Sequence, residues 1–232
     1  MKQFSFEVNG HQVLAYRSVY APVRSNMYTL LSENEAVVFD PTEDEELLRL
    51  FKDKRIEKVH ILLTHGHYDH ISGVEWLKEH TGASVLCQAM CADRLANSKR
   101  PLSRLVAMVL ALEDMKDGGH RYQDFKDSYK PFTIKADITF DKEADIKVGE
   151  FDFHVTSTPG HSEGSSCYQL FEKMVFTGDT LLKEYPVILK FPGGNKEDYE
   201  SKALPFLQRL PKDCIIMPGH GDPFILKETK NI

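Results

Sequence analysis

The sequence has no apolar run long enough to span a bilayer. Its first residues, MKQFSFEVNGHQV, also lack the apolar core of a secretory signal. Cysteine is scarce, and no second pair stands at zinc-finger spacing from Cys87 and Cys91; the other two cysteines are Cys167 and Cys214. We therefore expect a cytoplasmic protein with reduced cysteines and no membrane partner.

Positive charge is in short supply as well. The 29 lysines and arginines are outnumbered by 35 acidic residues, which gives a formal net charge of −6. Because phosphate binding needs concentrated positive charge, we expect no nucleic acid partner. Hydrophobic residues make up 41% of the 232 positions, enough to bury a core without disulfides.

The first third of the chain alternates strand patterns with turns. FSFEV and HQVLAY flank Asn9-Gly10, a strong hairpin signal, and the strands MYTLL and AVVF follow. EDEELLRLFKDK has helical spacing, and KVHILL is typical of a buried strand. SGVEWLKEH then predicts a new helix with Ser72 as its N-cap.

The rest of the chain repeats this mixture after a helical stretch. Residues 88–135 contain two helical patterns and then a polar, aromatic segment. Strand patterns return from Ile138, and the helix KEDYESKALPFLQRL precedes the strand CIIMP. Because strands, helix and a polar cluster occur in each half, the pattern predicts two packed sheets with helices outside.

The polar cluster of the first half is LTHGHYDHISG. His65, His67, Asp69 and His70 lie within six residues, and histidine and carboxylate groups are ligands that zinc and similar divalent ions prefer. In a turning segment, His65 and His67 can converge on one ion while Asp69 and His70 point to a second centre. Exposed loops also carry histidines, but this density is improbable in a chain with ten of them. The cluster therefore predicts a metal site.

Three further candidates each follow a strand and lie beside glycine. They are His161 in STPGHSEGS, Asp179 in FTGDT and His220 in MPGHGDP. Glycine lets the backbone turn sharply and approach closely. A turn histidine or a capping aspartate would explain any one of them alone. Together they suggest that several strand ends meet and gather seven ligands into one pocket.

The motifs THGHYDH, GHSEGS, TGDT and PGHGDP, in this order, resemble the metallo-β-lactamase fold superfamily in its binuclear hydrolase branch. The resemblance runs from NMYTLL to the end of the chain, and short glyoxalase II-like members are the most similar. It implies an α/β fold, namely a four-layer αββα sandwich over residues 1–232 as a single domain. Residues 88–135 would then form a helical insertion.

The resemblance also implies a ligand for each motif position. His65, His67 and His161 would hold the first metal, Asp69, His70 and His220 the second, and Asp179 would bridge the two. Asp40, in AVVFDPT, matches a family aspartate that hydrogen-bonds a ligand histidine, which would fix the tautomer of that ring. A strand-ending turn before Pro41 is the other interpretation of Asp40.

The implied chemistry is hydrolysis by a metal-bridged hydroxide, with Asp69 as a catalytic residue that orients the nucleophile or passes its proton on. Two divalent ions are expected, zinc first, with iron or manganese as alternatives. The implied substrate is a small-molecule thioester or related acyl compound. A lactonase, a phosphodiesterase and an iron-dependent persulfide dioxygenase are the alternatives, although the dioxygenase needs only one iron.

The sequence differs from true glyoxalase II in two features that affect which substrate we expect. Twelve residues follow His220, too few for the glutathione-binding helical region. The segment after GDT, LLKEYPVILKFPGG, lacks the usual arginine. Lys183, Tyr185 and Lys190 are candidates for substrate contact instead, with solvent exposure of the lysines as the alternative.

The segment PLSRLVAMVLALEDM has an apolar stripe at helical spacing, made of Leu102, Leu105, Val106, Val109 and Leu112. One interpretation is that this stripe packs on the domain. The other is a cover over the metal edge, whose second apolar side, including Met108 and Met115, forms a pocket wall or a homodimer contact.

Overall fold

The computed structural model describes residues 1–232, whose strands form two sheets. The first sheet has the order β1 (Lys2–Val8), β2 (His11–Tyr20), β3 (Ser25–Ser32), β4 (Glu35–Phe39), β5 (Lys58–Leu62), β6 (Ser84–Gln88), β7 (Ile138–Phe140). The second contains β8 (Glu143–Val148), β9 (Phe151–Ser157), β10 (Ser166–Leu170), β11 (Met174–Gly178), β12 (Ile215–Pro218) and β13 (Phe224–Ile225), and its spatial order is β13-β12-β11-β10-β9-β8.

The helices are α1 (Glu45–Lys54), α2 (Tyr68–Ile71), α3 (Val74–Thr81), α4 (Ala89–Leu95), α5 (Ser103–Asp117), α6 (Arg121–Ser128), α7 (Lys196–Asp198) and α8 (Leu204–Arg209). A π-helical turn, Tyr199–Ala203, joins α7 to α8. Pro205 lies just after this turn and has no N–H to donate to the residue four before it, which favours the wider turn. None of the helices combines the length and the apolar character that a bilayer crossing requires.

Three hydrophobic cores lie between the layers of the fold. Between the sheets, the ring of Phe39 stacks on Phe176 at 3.9 Å between centroids, with Phe153 and Tyr168 edge-on to Phe39. A second core joins the outer face of the first sheet to α1, α3 and α4, and a third joins the second sheet to α8 and the π-helical turn before it. The predicted αββα sandwich is therefore confirmed.

The hairpin between β1 and β2 is also confirmed. Asn9 and Gly10 both have positive φ (48° and 83°), as the central residues of a type I′ turn require.

The ends of strands from both sheets meet at one edge of the sandwich. β4, β5, β6 and β7 run parallel, and so do β11 and β12. Ser25 forms a bridge with His220, and the backbone N–H of Asn26 donates to Gly219 O at 2.7 Å. At Gly178, where φ is 49°, a Cβ would lie 2.3 Å from Thr64 Oγ1, so only glycine permits this approach of β11 to the end of β5.

The prediction of Ser72 as an N-cap was wrong. Ser72 has helical dihedrals at the end of α2, its Oγ is buried without a hydrogen-bond partner, and α3 begins at Val74 after Gly73. The N–H of Gly73 donates to Pro41 O at 2.9 Å, and a Cβ on Gly73 would lie 2.4 Å from Thr42. This tight contact keeps Ser72 in a helical conformation, whereas an N-cap serine needs an extended one.

The stretch between β6 and β7 contains three helices where the sequence predicted two. Gly118 ends α5 with φ of 74°. The carboxylate of Asp114 then accepts hydrogen bonds from the N–H of Tyr122 and from Arg121 Nε, both at 2.8 Å. Since these bonds fix the chain immediately after α5, the polar aromatic segment starts as α6.

Candidate metal centre

All seven candidate ligands lie together at the shared edge of the two sheets. His65 and His67 are in the loop after β5, and Asp69 and His70 are in the short helix α2. The motif therefore begins as a loop and ends as a single helical turn. His161 follows β9, Asp179 follows β11 and His220 follows β12. Glycine is again required here, since a Cβ at Gly219 would lie 2.1 Å from Asp179 Oδ1.

Three histidines form one group. His65, His67 and His161 are buried, and their ligand atoms lie within 4.8 Å of one another. His161 Nε2 is 2.9 Å from His67 Nδ1. His161 Nδ1 donates to Ile188 O at 2.8 Å, which leaves Nε2 as a bare acceptor directed at the other two rings.

Asp69, His70 and His220 form a second group with the same spacing. Asp69 Oδ2 is 3.4 Å from Nε2 of both histidines. Asp179 lies between the groups. Its Oδ2 is 3.5 Å from Nε2 of His161 and of His220, and its Oδ1 is 3.5 Å from Nε2 of His70. One carboxylate thus faces His161 on one side and His70 and His220 on the other.

A hydrogen-bond chain behind the rings orients two of them. His70 Nδ1 donates to Asp40 Oδ2 at 2.9 Å. The same carboxylate accepts from Thr64 N at 2.8 Å and from Thr64 Oγ1 at 2.6 Å. His65 Nδ1 lies 3.0 Å from Thr64 Oγ1, whose own proton is directed at Asp40. Asp40 is therefore more than a strand-ending turn, since it holds His70 and, through Thr64, His65 with their Nε2 atoms inward.

The two groups differ in charge. Burial lowers the pKa of His161, and burial together with neighbouring histidines lowers the pKa values of His65 and His67 well below the usual range, so all three rings are neutral. At His70, burial also disfavours the charged ring, but the carboxylates of Asp69, Asp179 and Asp40 outweigh it and raise the pKa to about 9.

His220 behaves like His70. Burial again opposes the charge, and Asp179 and Asp69 together raise its pKa to about 11. Conversely, burial disfavours the charged form of Asp179, but His220 and His70 outweigh it and hold its pKa well below the usual range. The two carboxylates of this group therefore attract positive charge, which either protonated rings or a divalent cation can supply.

The donor atoms fit a divalent metal. Four of the donor atoms are buried and have no hydrogen-bond partner. They are Nε2 of His65, His67 and His70, and Oδ1 of Asp179. Buried polar atoms normally find partners, and each one left alone costs about 1–3 kcal/mol. A cation between the two groups would satisfy several of them at once with nitrogen and oxygen donors that zinc accepts.

A cavity of about 520 Å³ opens over the centre. Its floor is His67, Asp69, His161, Asp179 and His220. Its walls come from three places, which are the β2–β3 turn, the chain at the start of α5, and the segment after Asp179. Their lining residues are Val23 and Arg24; Pro101, Leu102, Leu105, Val106 and Val109; and Leu182, Tyr185, Pro186, Ile188 and Phe191. Arg24 was not singled out from the sequence, where it is an ordinary turn residue.

The structure separates the residues proposed from the sequence for substrate contact. Tyr185 lines the cavity, whereas Lys183 Nζ pairs with Glu228 Oε2 at 2.7 Å and Lys190 lies outside the lining. Met108 and Met115 also lie outside it, exposed to 54% and 83%, so the proposal that they form a pocket wall was wrong. Leu105, Val106 and Val109 of α5 line the cavity with Leu102, which immediately precedes the helix, and both methionines lie on a solvent-exposed side of α5.

Comparisons with known proteins agree with this architecture. The family model of the metallo-β-lactamase superfamily matches residues 20–220. A "probable metallo-hydrolase", YqgX of Bacillus subtilis, is 26% identical over 88% of this chain and 89% of its own length. The hydroxyacylglutathione hydrolase GloC of Haemophilus influenzae is 30% identical over 85% of each chain. Among solved structures, BLEG-1 B3 metallo-β-lactamase has a TM-score of 0.72 and 28% identity, covering 92% of this chain and 95% of its own.

Proposed function

The chain belongs to the metallo-β-lactamase superfamily and is a metal-dependent hydrolase, and on this premise we propose that it hydrolyses thioesters. Hydrolysis of a thioester breaks the bond between the acyl carbon and sulfur and forms one between that carbon and a water oxygen. The products are a carboxylic acid and a thiol, and neither oxidant nor reductant is needed. The name of the Haemophilus relative, a hydroxyacylglutathione hydrolase, supports a thioester over other acyl compounds.

The convergence of unpartnered buried donors is the observation that carries the proposal. We assign His65, His67 and His161 to one metal, Asp69, His70 and His220 to a second, and Asp179 to both. Bound divalent ions supply Lewis acidity at the acyl oxygen and lower the pKa of water toward neutrality. Because the donors are nitrogen and oxygen only, zinc is the metal we propose.

Asp69 is the residue that we propose moves the proton. Its side chain is 14% exposed, lines the cavity floor, and has Oδ2 3.4 Å from the nearest ring nitrogens of His70 and His220. A carboxylate at this position accepts a proton from the attacking water and returns it to the departing sulfur. The Ser25 hydroxyl holds the Asp69 backbone in place by donating to its carbonyl oxygen at 2.8 Å.

The experiment combines metal analysis with a substrate panel. Purified protein is assayed for zinc, iron and manganese, and is then tested on a thioester, a lactone, a phosphodiester and a glutathione persulfide. We expect two metal ions per chain and thiol release from the thioester that stops after chelation and returns with zinc. One iron per chain with oxygen consumption on persulfide would overturn the proposal, as would hydrolysis of the lactone or phosphodiester without the thioester.

A further inference from the structure

Two chemically different groups of residues line the cavity over the metal donors, the apolar side chains near α5 and in the segment 182–191, and the cation of Arg24. We propose that the substrate has two matching arms, an apolar acyl chain lying against α5 and a thiol arm whose carboxylate is bound by Arg24. This inference rests on the proposed thioester hydrolysis and specifies which thioesters the site selects.

The apolar arm has a continuous wall. Leu105, Val106 and Val109 of α5 line the cavity, together with Leu102 immediately before the helix and with Leu182, Ile188 and Phe191. Half of the eighteen lining residues are hydrophobic, and this wall contains no charged side chain. Burial of apolar surface there favours a substrate with methylene groups over a bare acetyl group.

The other arm meets a single cation. Arg24 is the only lysine or arginine that lines the cavity, it is exposed, and its guanidinium forms no ion pair or hydrogen bond with any group of the protein. The carboxylates of the floor are therefore not its partners. Guanidinium groups bind carboxylate and phosphate oxygens with paired hydrogen bonds, so an unpaired one beside a reaction centre suits an anionic ligand.

The backbone fixes where this cation is presented. Arg24 has φ of 61°, a left-handed conformation that is strained for a residue with a Cβ, and its N–H donates to Tyr20 O at 2.8 Å. The next residue, Ser25, hydrogen-bonds Asp69 and forms the bridge with His220. The turn that carries Arg24 is thus tied directly to two residues of the floor, and it is a separate segment of the cavity lining from α5.

Two thiols that differ only in a carboxylate separate the two arms experimentally. N-acetylcysteine is N-acetylcysteamine with one added carboxylate, and each is prepared as its S-acetyl and S-hexanoyl thioester. The four compounds are assayed with the metal-loaded wild type, with Arg24→Gln and with Leu105→Ser. Arg104→Gln and Leu112→Ser are the matched controls, because both residues are exposed on α5 and lie outside the cavity lining.

We expect kcat/KM of the wild type to be about tenfold or more higher for hexanoyl than for acetyl compounds, since a fully buried methylene contributes about fourfold. Leu105→Ser should reduce this ratio several-fold, and Leu112→Ser should leave it unchanged. Arg24→Gln should raise KM about five- to tenfold for N-acetylcysteine thioesters alone, with kcat preserved. Arg104→Gln should change neither.

Each arm can fail separately from the hydrolase activity. Equal effects of Arg24→Gln on both thiols, or a wild type indifferent to acyl length, would overturn the two-arm substrate while thioester hydrolysis stood. Absence of thiol release from all four compounds with two metals bound would instead overturn the proposed thioesterase function. Because guanidinium groups bind phosphate as well as carboxylate, weaker inhibition by inorganic phosphate in Arg24→Gln than in the wild type would support an anion site at this residue.

Discussion

Arg94 and Glu163 form an ion pair beneath the metal centre, with Arg94 Nη2 2.5 Å from Glu163 Oε2. Arg94 belongs to α4 and is 3% exposed, while Glu163 lies two residues after His161. Arg94 Nη2 also donates to Pro192 O at 3.0 Å, and the Arg94 side chain packs so closely that a Cβ on Gly66 would lie 2.8 Å from its Cδ. One buried guanidinium therefore supports the loops of both His67 and His161.

Removal of Glu163 should destabilise the protein because it leaves this guanidinium buried without its carboxylate. For Glu163→Ala we expect the free energy of unfolding to fall by about 3 kcal/mol. The matched control is Asp93→Ala, which removes the partner of Arg100 in a pair exposed to 62% and 47% and should cost less than about 1 kcal/mol. Urea unfolding of the metal-loaded proteins measures both, and equal losses would show that burial of the pair is irrelevant.

Asp179→Ala should abolish activity and reduce the metal content from two ions to one or none, because Asp179 faces histidines of both groups. We expect kcat to fall by at least about a hundredfold, as for loss of a group at the reaction centre. Elemental analysis and thiol-release kinetics measure the effect, and circular dichroism checks that the fold persists. Asp145→Ala, at an exposed aspartate that pairs with His154 far from the centre, is the control. Retention of two metals and near-normal turnover would refute the ligand assignment.

Asp40→Asn should weaken the second metal selectively. Three donors converge on the Asp40 carboxylate, from Thr64 N, Thr64 Oγ1 and His70 Nδ1. Asparagine has one oxygen and tolerates the left-handed φ of 50° found here, so the backbone survives while at least one donor meets an NH₂ group. We expect a loss of about 10- to 100-fold in affinity at the His70 site. Chelator competition gives the two affinities, and an equal loss at both sites would contradict this role.

The four cysteines should be inert toward thiol reagents in the folded protein. All are buried and free, and burial raises the pKa of Cys167 to about 12 and of Cys214 to about 11. Hydrogen bonding to Cys87 and burial raise the pKa of Cys91 well above its usual value. Because the raised pKa keeps Cys91, Cys167 and Cys214 as thiols at pH 8, their reactive thiolate is scarce, and burial shields all four side chains from the reagent. Ellman's reagent should therefore react slowly with native protein and quickly with four thiols after denaturation; rapid native reaction would contradict this.

Much of the fold and the candidate ligands could be predicted because their signals are local. Asn9-Gly10 selects a hairpin turn through its own dihedral preferences, and alternating patterns mark most of the strands. His65, His67, Asp69 and His70 are close in the chain, so their clustering is visible without a structure. The motifs that carry His161, Asp179 and His220 are distant in the chain, and their common position after a strand and beside glycine joined them to this cluster. Their assignment to individual metals came only from resemblance to a family.

Other features depended on contacts between distant segments. The N-cap prediction at Ser72 was wrong because Pro41 and Thr42 press on Gly73 from another part of the chain. Met108 and Met115 share an apolar pattern with the cavity wall, but the packing of α5 decides which side faces the floor.

The sequence by itself therefore determined the strands, most of the helices, the sandwich and the seven candidate metal ligands. It could do so because local propensity, apolar periodicity and motif spacing are properties of short segments. Only the tertiary structure decided that Asp40 orients His70, that Arg94 lies under the loops of His67 and His161, and that Arg24 faces the cavity unpaired. The first two relationships join residues tens of positions apart through hydrogen bonds and close packing, and all three depend on distances that exist only in the folded chain.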